Sequence, residues 1–215
     1  SLVVDLDLTS TGRLTGTWAL SLDDSNLPQN WSANDVSIID TSSMAIAAEQ
    51  PETISIMVSA PSEALGSDNG FITLTLTVAE DENFTKTAII PVEANLTRGL
   101  SVRGPSGIAE TTGYGIPSNL ASAWLVVENL GNAQETITDR AWDPTSWGNN
   151  LTLHSSEQEL SLITLSPGES LELHAKLPVP GGTILGSNVT TTLSLCIGSG
   201  DEEVCRSIDI TFISN

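Results

Sequence analysis

The protein has 215 residues, enough for one large domain or for two of about a hundred residues each. Hydrophobic residues make up 39% of the chain, which permits a packed core and excludes a disordered chain. Seven Lys and Arg against 27 Asp and Glu give a formal net charge of −20, which argues against nucleic-acid binding and against adsorption to anionic membranes. No stretch approaches the roughly 20 apolar residues that cross a bilayer.

The first half of the chain predicts β-strands. Large apolar residues occupy every second position in four segments, which are Leu2–Leu8, Trp18–Leu22, Ile54–Val58 and Ile72–Val78, and most of the residues between them are polar or small. A period of two is typical of antiparallel strands with one buried and one solvated face. We therefore expect the whole first half to be built from such strands.

The second half shows the same pattern in Leu171–Leu177, Leu193–Ile197 and Val204–Phe212, and the apolar segment Ala123–Glu128 is a further predicted strand. Turn residues recur roughly every 8–12 positions, which is the spacing of a β-sandwich. No segment of helical length has a persuasive helical period. The sequence therefore predicts an all-β protein.

Landmarks of the first half recur in the same order in the second half. Trp31 matches Trp147, and the other matched segments are Gln50–Val58 with Ser166–Leu173, Leu65–Ser67 with Leu185–Ser187, and Ile72–Val78 with Thr191–Ile197. Such self-similarity indicates two copies of one structural unit. We predict two tandem immunoglobulin-like antiparallel β-sandwiches, at residues 1–97 and 98–215.

The two copies differ at their beginnings. In copy two, a segment from Gly99 to Asn119 precedes the strand Ala123–Glu128, whereas copy one starts on the matching strand, Leu2–Leu8. We therefore expect copy one to lack its first strand. Two explanations stay open: the chain is a fragment of a longer array, or another chain adds the strand to the open edge.

The two cysteines indicate an oxidising compartment. Cys196 and Cys205 lie in two alternating segments joined by Gly198–Asp201, a predicted hairpin turn. This places the two cysteines about opposite each other across the hairpin, on the outer face, and predicts a disulfide in an extracellular or cell-surface protein. Five Asn-x-Ser/Thr sequons are possible N-glycosylation sites, at Asn30, Asn83, Asn95, Asn150 and Asn188.

Few residues indicate chemistry. Trp142 and Trp147 flank one loop and could contact a carbohydrate or a partner, although packing against the core or within the loop is the favoured explanation. The acidic clusters at predicted turns, Asp23-Asp24, Glu80–Glu82 and Asp201–Glu203, could bind calcium, but they do not form a recognisable calcium loop. His154 and His174 fall on separate predicted strands and do not indicate a metal pair. We predict no catalytic residues, no metal site and no cofactor.

Several segments resemble known domains. Leu27–Ser32, Gln50–Val58 and Ser59–Gly66 are similar to the NPCBM-associated immunoglobulin-like domains of prokaryotic surface and secreted proteins. Val126–Asn132 and Leu165–Ser170 look like signatures of the related CARDB-like adhesion-type domains. The resemblance implies spacers, stalks and adhesive modules, and it carries no catalytic residues.

These observations predict a non-enzymatic spacer or adhesion module of a cell-surface or secreted protein. Its expected partners are other domains of the parent chain or neighbouring copies of the surface protein, not nucleic acid. One alternative is a subunit of a self-assembling surface filament or layer, completed by strand donation between chains. Another is an ancillary carbohydrate-binding module of a secreted polysaccharide-degrading enzyme, which would use Trp142 and Trp147.

Overall fold

A computed structural model describes residues 1–10, 16–47, 50–79 and 81–215, and for residues 81–83 it describes the backbone alone. The described chain divides into two compact units, Ser1–Asn95 (unit 1) and Leu96–Asn215 (unit 2). The described residues form strands and one short 3-10 turn, Gly200–Glu202, and contain no α-helix. The prediction of an all-β, immunoglobulin-like fold is thus confirmed.

Unit 1 consists of two antiparallel sheets. The first has the strand order β1-β5-β3 and the second has the order β4-β2-β6-β7. The strands are β1 (Leu2–Thr9), β2 (Gly16–Asp23), β3 (Ser32–Asp35), β4 (Met44–Ile46), β5 (Pro51–Ser59), β6 (Asn69–Val78) and β7 (Asp81–Glu93). Alternate residues of both sheets enclose one core, in which Ile54, Ile56 and Ile72 are fully buried.

Unit 2 contains ten hydrogen-bonded strands. Nine of them follow the order β13-β12-β15-β10-β9-β17-β16-β11-β14, and the tenth, β8, pairs with β10. The strands are β8 (Leu100–Arg103), β9 (Glu110–Gly115), β10 (Leu120–Asn129), β11 (Glu135–Trp142), β12 (Thr152–Ser155), β13 (Gln158–Glu159), β14 (Thr164–Leu165), β15 (Ser170–Pro178), β16 (Asn188–Ile197) and β17 (Val204–Ser214). Their inward-facing side chains form a single core around Phe212, Leu193 and Leu173.

Equivalent strands of the two units pair in the same register. Leu2 pairs with Val58 as Ala121 pairs with Leu177, an offset of 119 residues in both strands. The sequence match aligned Pro51 with Pro167 and therefore did not align Ile54 with Leu173. The strand register instead makes Ile54 equivalent to Leu173, and both residues are fully buried in their own units. The burial of alternate residues, rather than the position of a proline, decides which residues are equivalent.

Two buried polar side chains, those of Asn129 and Glu135, make hydrogen bonds near the start of unit 2. Asn129 is fully buried, and its side-chain amide donates to the carbonyls of Ala133 and Leu165. None of the residues from Asn129 to Asn132 has a positive φ, and Asn129 stabilises this turn through its side chain. Arg98 pairs with the buried carboxylate of Glu135 through both carboxylate oxygens, each at 2.5 Å.

Hydroxyl groups hold an acidic turn in unit 1. Partial burial raises the pKa of Asp35, but hydrogen bonds from Ser37 and Thr41 outweigh this effect and hold the pKa below its ordinary value. The charged form of Asp35 is therefore favoured in the folded protein.

Candidate functional site

The two edge strands of unit 1 define its most distinctive surface. β1 ends the sheet β1-β5-β3, and β7 ends the sheet β4-β2-β6-β7. Within the described ranges, no strand pairs with the outer edge of Leu2–Thr9 or with that of β7. Such edges present unpaired backbone N–H and C=O groups to any extended chain that approaches them.

In unit 2 the equivalent edges are covered. β8 runs antiparallel to β10, pairing Leu100–Arg103 with Val126–Asn129. β9 then runs parallel to β17 over six residue pairs and meets β10 where Tyr114 pairs with Ser122. These two strands close the gap between β10 and β17.

We call the corresponding uncovered surface of unit 1 the strand slot. It is formed by the inward-facing residues of β1, which are Leu2, Val4, Leu6 and Leu8, and of β7, which are Ala88, Ile90 and Val92. The register equates β1 with β10, and β7 with β17. The strand slot is therefore the place that β8 and β9 occupy in unit 2.

Solvent exposure separates the slot from its filled counterpart. Leu2 is 66% exposed, whereas its equivalent Ala121 is fully buried. Val92 is partly exposed, whereas its equivalent Phe212 is fully buried. The remaining inward-facing residues of β1 are also partly exposed. An exposed apolar edge of this kind is costly in water and typical of a binding surface.

The filled slot shows what such a strand must look like. A Cβ atom on Gly113 would lie 2.7 Å from the backbone carbonyl of Ser122, and one on Gly115 would lie 2.5 Å from Cα of Ala121. The strand therefore approaches the backbone of β10 so closely that two of its positions tolerate no side chain. A Gly-x-Gly sequence meets this requirement.

The charges beside the strand slot favour a particular charge on any strand that binds there. Asp5 and Asp7 on β1 accept hydrogen bonds from Ser55 and Thr53 of the neighbouring strand. The position equivalent to Asp7 in unit 2 is Val126, which pairs with Arg103 of β8. A strand of the β8 type would thus place a cation beside Asp7.

The predicted cysteine pair forms a disulfide in the structure. Cys196 and Cys205 pair directly across β16 and β17, with an S–S distance of 2.07 Å. Cys205 is exposed as expected, but Cys196 is buried. With Glu203 these cysteines form the one group of potential metal ligands found among the described residues, and their thiols are consumed by the disulfide.

The predicted tryptophan contact lies on unit 2. Trp142 and Trp147 are partly buried and pack against the core, and Trp142 donates its indole N–H to the carbonyl of Asn149. Trp142 also lines a groove beside β11, whereas Trp147 does not. One of the two predicted rings thus lines this groove, and contact with a carbohydrate or a partner stays a prediction.

Asn30, Asn95, Asn150 and Asn188 are exposed, so their side chains are accessible for glycosylation. The side chain of Asn83 is outside the described residues.

The sequence did not reveal that the two histidines are neighbours. His154 on β12 lies directly opposite His174 on β15. Each ring has its own partners: His174 accepts a short bond from the Trp124 indole, and His154 contacts the Thr152 hydroxyl at 2.9 Å. Strand order, which the sequence does not show, decides this proximity.

The acidic turns use their carboxylates as hydrogen-bond acceptors. The pKa of Asp23 is lowered by hydrogen bonds from Ser25, first from its hydroxyl group and second from its backbone N–H. Asp24 accepts from the backbone N–H of Ala33 at 3.2 Å. The cluster Glu80–Glu82 lies outside the residues whose side chains are described. The absence of a calcium site stays a prediction.

No helix in the described chain has the length and apolar character needed to span a membrane. No protein-family model and no curated protein matches the sequence. The resemblance to NPCBM-associated and CARDB-like domains therefore stays a prediction.

Several solved structures are similar in fold. A protein of unknown function from Porphyromonas gingivalis W83 is 13% identical, with a TM-score of 0.37 over 98% of this chain and 90% of that one. The CooA pilin subunit of enterotoxigenic Escherichia coli is 11% identical, with a TM-score of 0.34 over 54% of this chain and 98% of that one. The CupB2 chaperone of Pseudomonas aeruginosa is 8% identical, with a TM-score of 0.30 over 97% and 92%. TM-scores this low carry no argument about function.

Proposed function

We propose that the protein is a non-enzymatic structural subunit of a secreted or cell-surface assembly, and that the strand slot of unit 1 accepts a β-strand from another copy or a partner chain. The observation that carries the proposal is the contrast between equivalent residues: Leu2 is 66% exposed and Ala121 is fully buried in the same fold. Strand addition would satisfy both open edges and cover the apolar residues between them.

The expected gain is substantial. Burying a Leu or Val side chain that was exposed stabilises a protein by about 1.5–3 kcal/mol. The slot offers Leu2, Val4, Leu6 and Leu8 from β1 alone, each at least partly exposed. Backbone hydrogen bonds along both edges would add to this and fix the direction of the strand, parallel to β7 and antiparallel to β1.

The compartment follows from the cysteine chemistry. A disulfide such as Cys196–Cys205 persists in oxidising surroundings and is uncommon in the cytosol. The net charge of −20 keeps such a protein soluble and limits indiscriminate pairing of open edges.

The test uses a strand that the fold already accepts. A peptide with the sequence of residues 100–116 carries both first-strand segments of unit 2 and both required glycines. We expect it to bind the intact chain and to protect backbone amides of β1 and β7 from hydrogen exchange. The matched control peptide replaces the glycines equivalent to Gly113 and Gly115 by valine, and it should not bind because its side chains would meet the backbone of β1. Equal binding of both peptides, or of neither, would contradict the proposal.

A spacer role within a tandem array is the second candidate. The register shared by the two units favours it, because arrays repeat one unit along a single polypeptide. The slot would then be filled by a strand of the same polypeptide. Light scattering tests assembly between copies: such assembly gives oligomers that the free peptide dissociates, whereas a monomer at every concentration excludes another copy as the source of the strand.

A further inference from the structure

β11 changes its facing part-way along because of a β-bulge at Thr138. Ile137 pairs with Ile197, but the next pairing joins Asp139 to Cys196 and skips Thr138. Beyond the bulge, Arg140 pairs with Leu195 and Trp142 with Leu193. Paired residues of neighbouring strands project to the same side of a sheet, and both of these leucines are fully buried. Arg140 and Trp142 therefore face inward.

Unit 1 shows what these positions hold in the absence of a bulge. There Leu20 pairs with Leu76, and Leu22 pairs with Leu74, without a shift of register. Leu20 and Leu22 pack against the core of unit 1. Unit 2 thus has an arginine and a tryptophan at the positions where unit 1 has two leucines. Bulges that change the direction of side chains in this way are frequent next to functional sites.

The two residues line a groove of about 580 Å³, which we call the Arg140 groove. This volume lies within the range of about 300–1,000 Å³ that is usual for small-molecule sites. Its other lining residues include leucines, Glu159 and four residues that carry hydroxyl groups, Thr136, Thr138, Thr152 and Ser161. The three threonine hydroxyls also make hydrogen bonds within unit 2.

Among the described residues, the guanidinium of Arg140 has one hydrogen-bond partner, the carbonyl of Leu160, to which it donates a bond of 2.7 Å. The backbone N–H of Arg140 donates separately to the carboxylate of Asp139. In the described part of the chain no carboxylate lies within ion-pair distance of the Arg140 guanidinium, whereas Arg98 and Arg103 each have one at 2.5 Å. Burial lowers the pKa of Arg140, so its charge carries a desolvation cost that an incoming anion would offset.

We propose that the Arg140 groove binds a sugar that carries a single carboxylate. The guanidinium of Arg140 pairs with the carboxylate, because its planar donors match two carboxylate oxygens. The indole of Trp142 supplies an apolar surface for the ring. The hydroxyl of Ser161 and the remaining lone pairs of the threonine hydroxyls pair with the sugar hydroxyls. Glu159 and the net charge of −20 disfavour ligands with several negative charges.

Titration calorimetry on the intact chain tests this site. The probes are the methyl glycosides of D-galacturonic acid and D-galactose, which differ in the carboxylate, and N-acetylglutamate amide, an acidic group without a sugar. We expect the galacturonide to bind and the other two to bind at least about tenfold more weakly, since each lacks one of the two recognised features.

Two variants make unit 2 resemble unit 1 at these positions. Arg140→Leu should abolish the preference for galacturonide over galactoside, and Trp142→Leu should weaken binding of both glycosides while the preference persists. Both leucines are present at the equivalent positions of unit 1, and unchanged urea unfolding verifies that each variant is folded. Stronger binding of N-acetylglutamate amide would transfer the site to acidic peptides and overturn the sugar proposal. Absence of binding by the galacturonide, or unchanged binding in Arg140→Leu, would also overturn it. The strand slot of unit 1 is not involved, so this result is independent of the proposed function.

Discussion

The two glycines of β9 allow a direct test of how the strand fits its slot in unit 2. A methyl group at Gly115 would lie 2.5 Å from Cα of Ala121, and one at Gly113 would lie 2.7 Å from the carbonyl of Ser122. Both obstacles are backbone atoms, which cannot move aside without shifting β10. We therefore expect each substitution to alanine to lower the free energy of unfolding of unit 2 by about 1–3 kcal/mol, as overpacking does.

The combined variant is more informative than either single one. If the methyl groups expel β9, Ile210 and Phe212 lose the cover of that strand, as Ile90 and Val92 in unit 1 lack it. Exposing these two buried side chains to water would lower the free energy of unfolding by at most roughly 3–6 kcal/mol. Once β9 has detached, a second methyl group costs little more. Gly113→Ala/Gly115→Ala should therefore destabilise unit 2 by less than the sum of the single variants.

Urea unfolding measures these free energies, and hydrogen exchange at the amides of Glu110–Gly115 reports whether β9 has detached. The matched control is Gly182→Ala, because a Cβ at Gly182 meets no atom within 4 Å. We expect it to stay within about 0.5 kcal/mol of the parent chain. The reasoning would be refuted if Gly115→Ala behaved like the control, or if the double variant were fully additive.

Three further predictions concern the stability of the chain. Cys196→Ser/Cys205→Ser should lower the free energy of unfolding by about 2–3 kcal/mol in urea, since the disulfide closes a short loop, and an unchanged urea midpoint would contradict this. Arg98→Met should cost about 3–5 kcal/mol, because it leaves the buried carboxylate of Glu135 without its cation; a loss below about 1 kcal/mol would show that water replaces the arginine. Asp35 has a lowered pKa, so the stability it contributes is present above its ordinary pKa of 3.8 and is lost as the pH falls through the folded value; Asp35→Asn should flatten the acid side of the stability–pH curve, and an unaltered curve would exclude this contribution.

The strand pattern was available from the sequence because the period of two is a local property. Leu6 and Leu8 alternate with Asp5 and Asp7 and face inward in the structure, and Ile54 and Ile56, on either side of Ser55, do the same. The segment Gly99–Asn119, which lies ahead of the strand Ala123–Glu128 in copy two, was also visible in the sequence, and it supplies β8 and β9 in the structure.

The features of the Arg140 groove could not be predicted in this way. An arginine at an alternating position of β11 reads as solvent-facing until the bulge at Thr138 is known, and a bulge depends on pairing with β16. The approach of Gly113 and Gly115 to β10 is likewise a contact between segments that the sequence does not join. The proximity of His154 and His174 arises for the same reason.

Local periodicity, turn residues and self-similarity thus determined the fold class and the repeat of this protein, because each of them acts over a few residues or is visible by comparing two stretches of chain. Tertiary structure alone decided which edges are uncovered, which strands adjoin and which way Arg140 points. Those properties depend on pairing between distant segments, where a register shift of one residue moves a side chain to the other face.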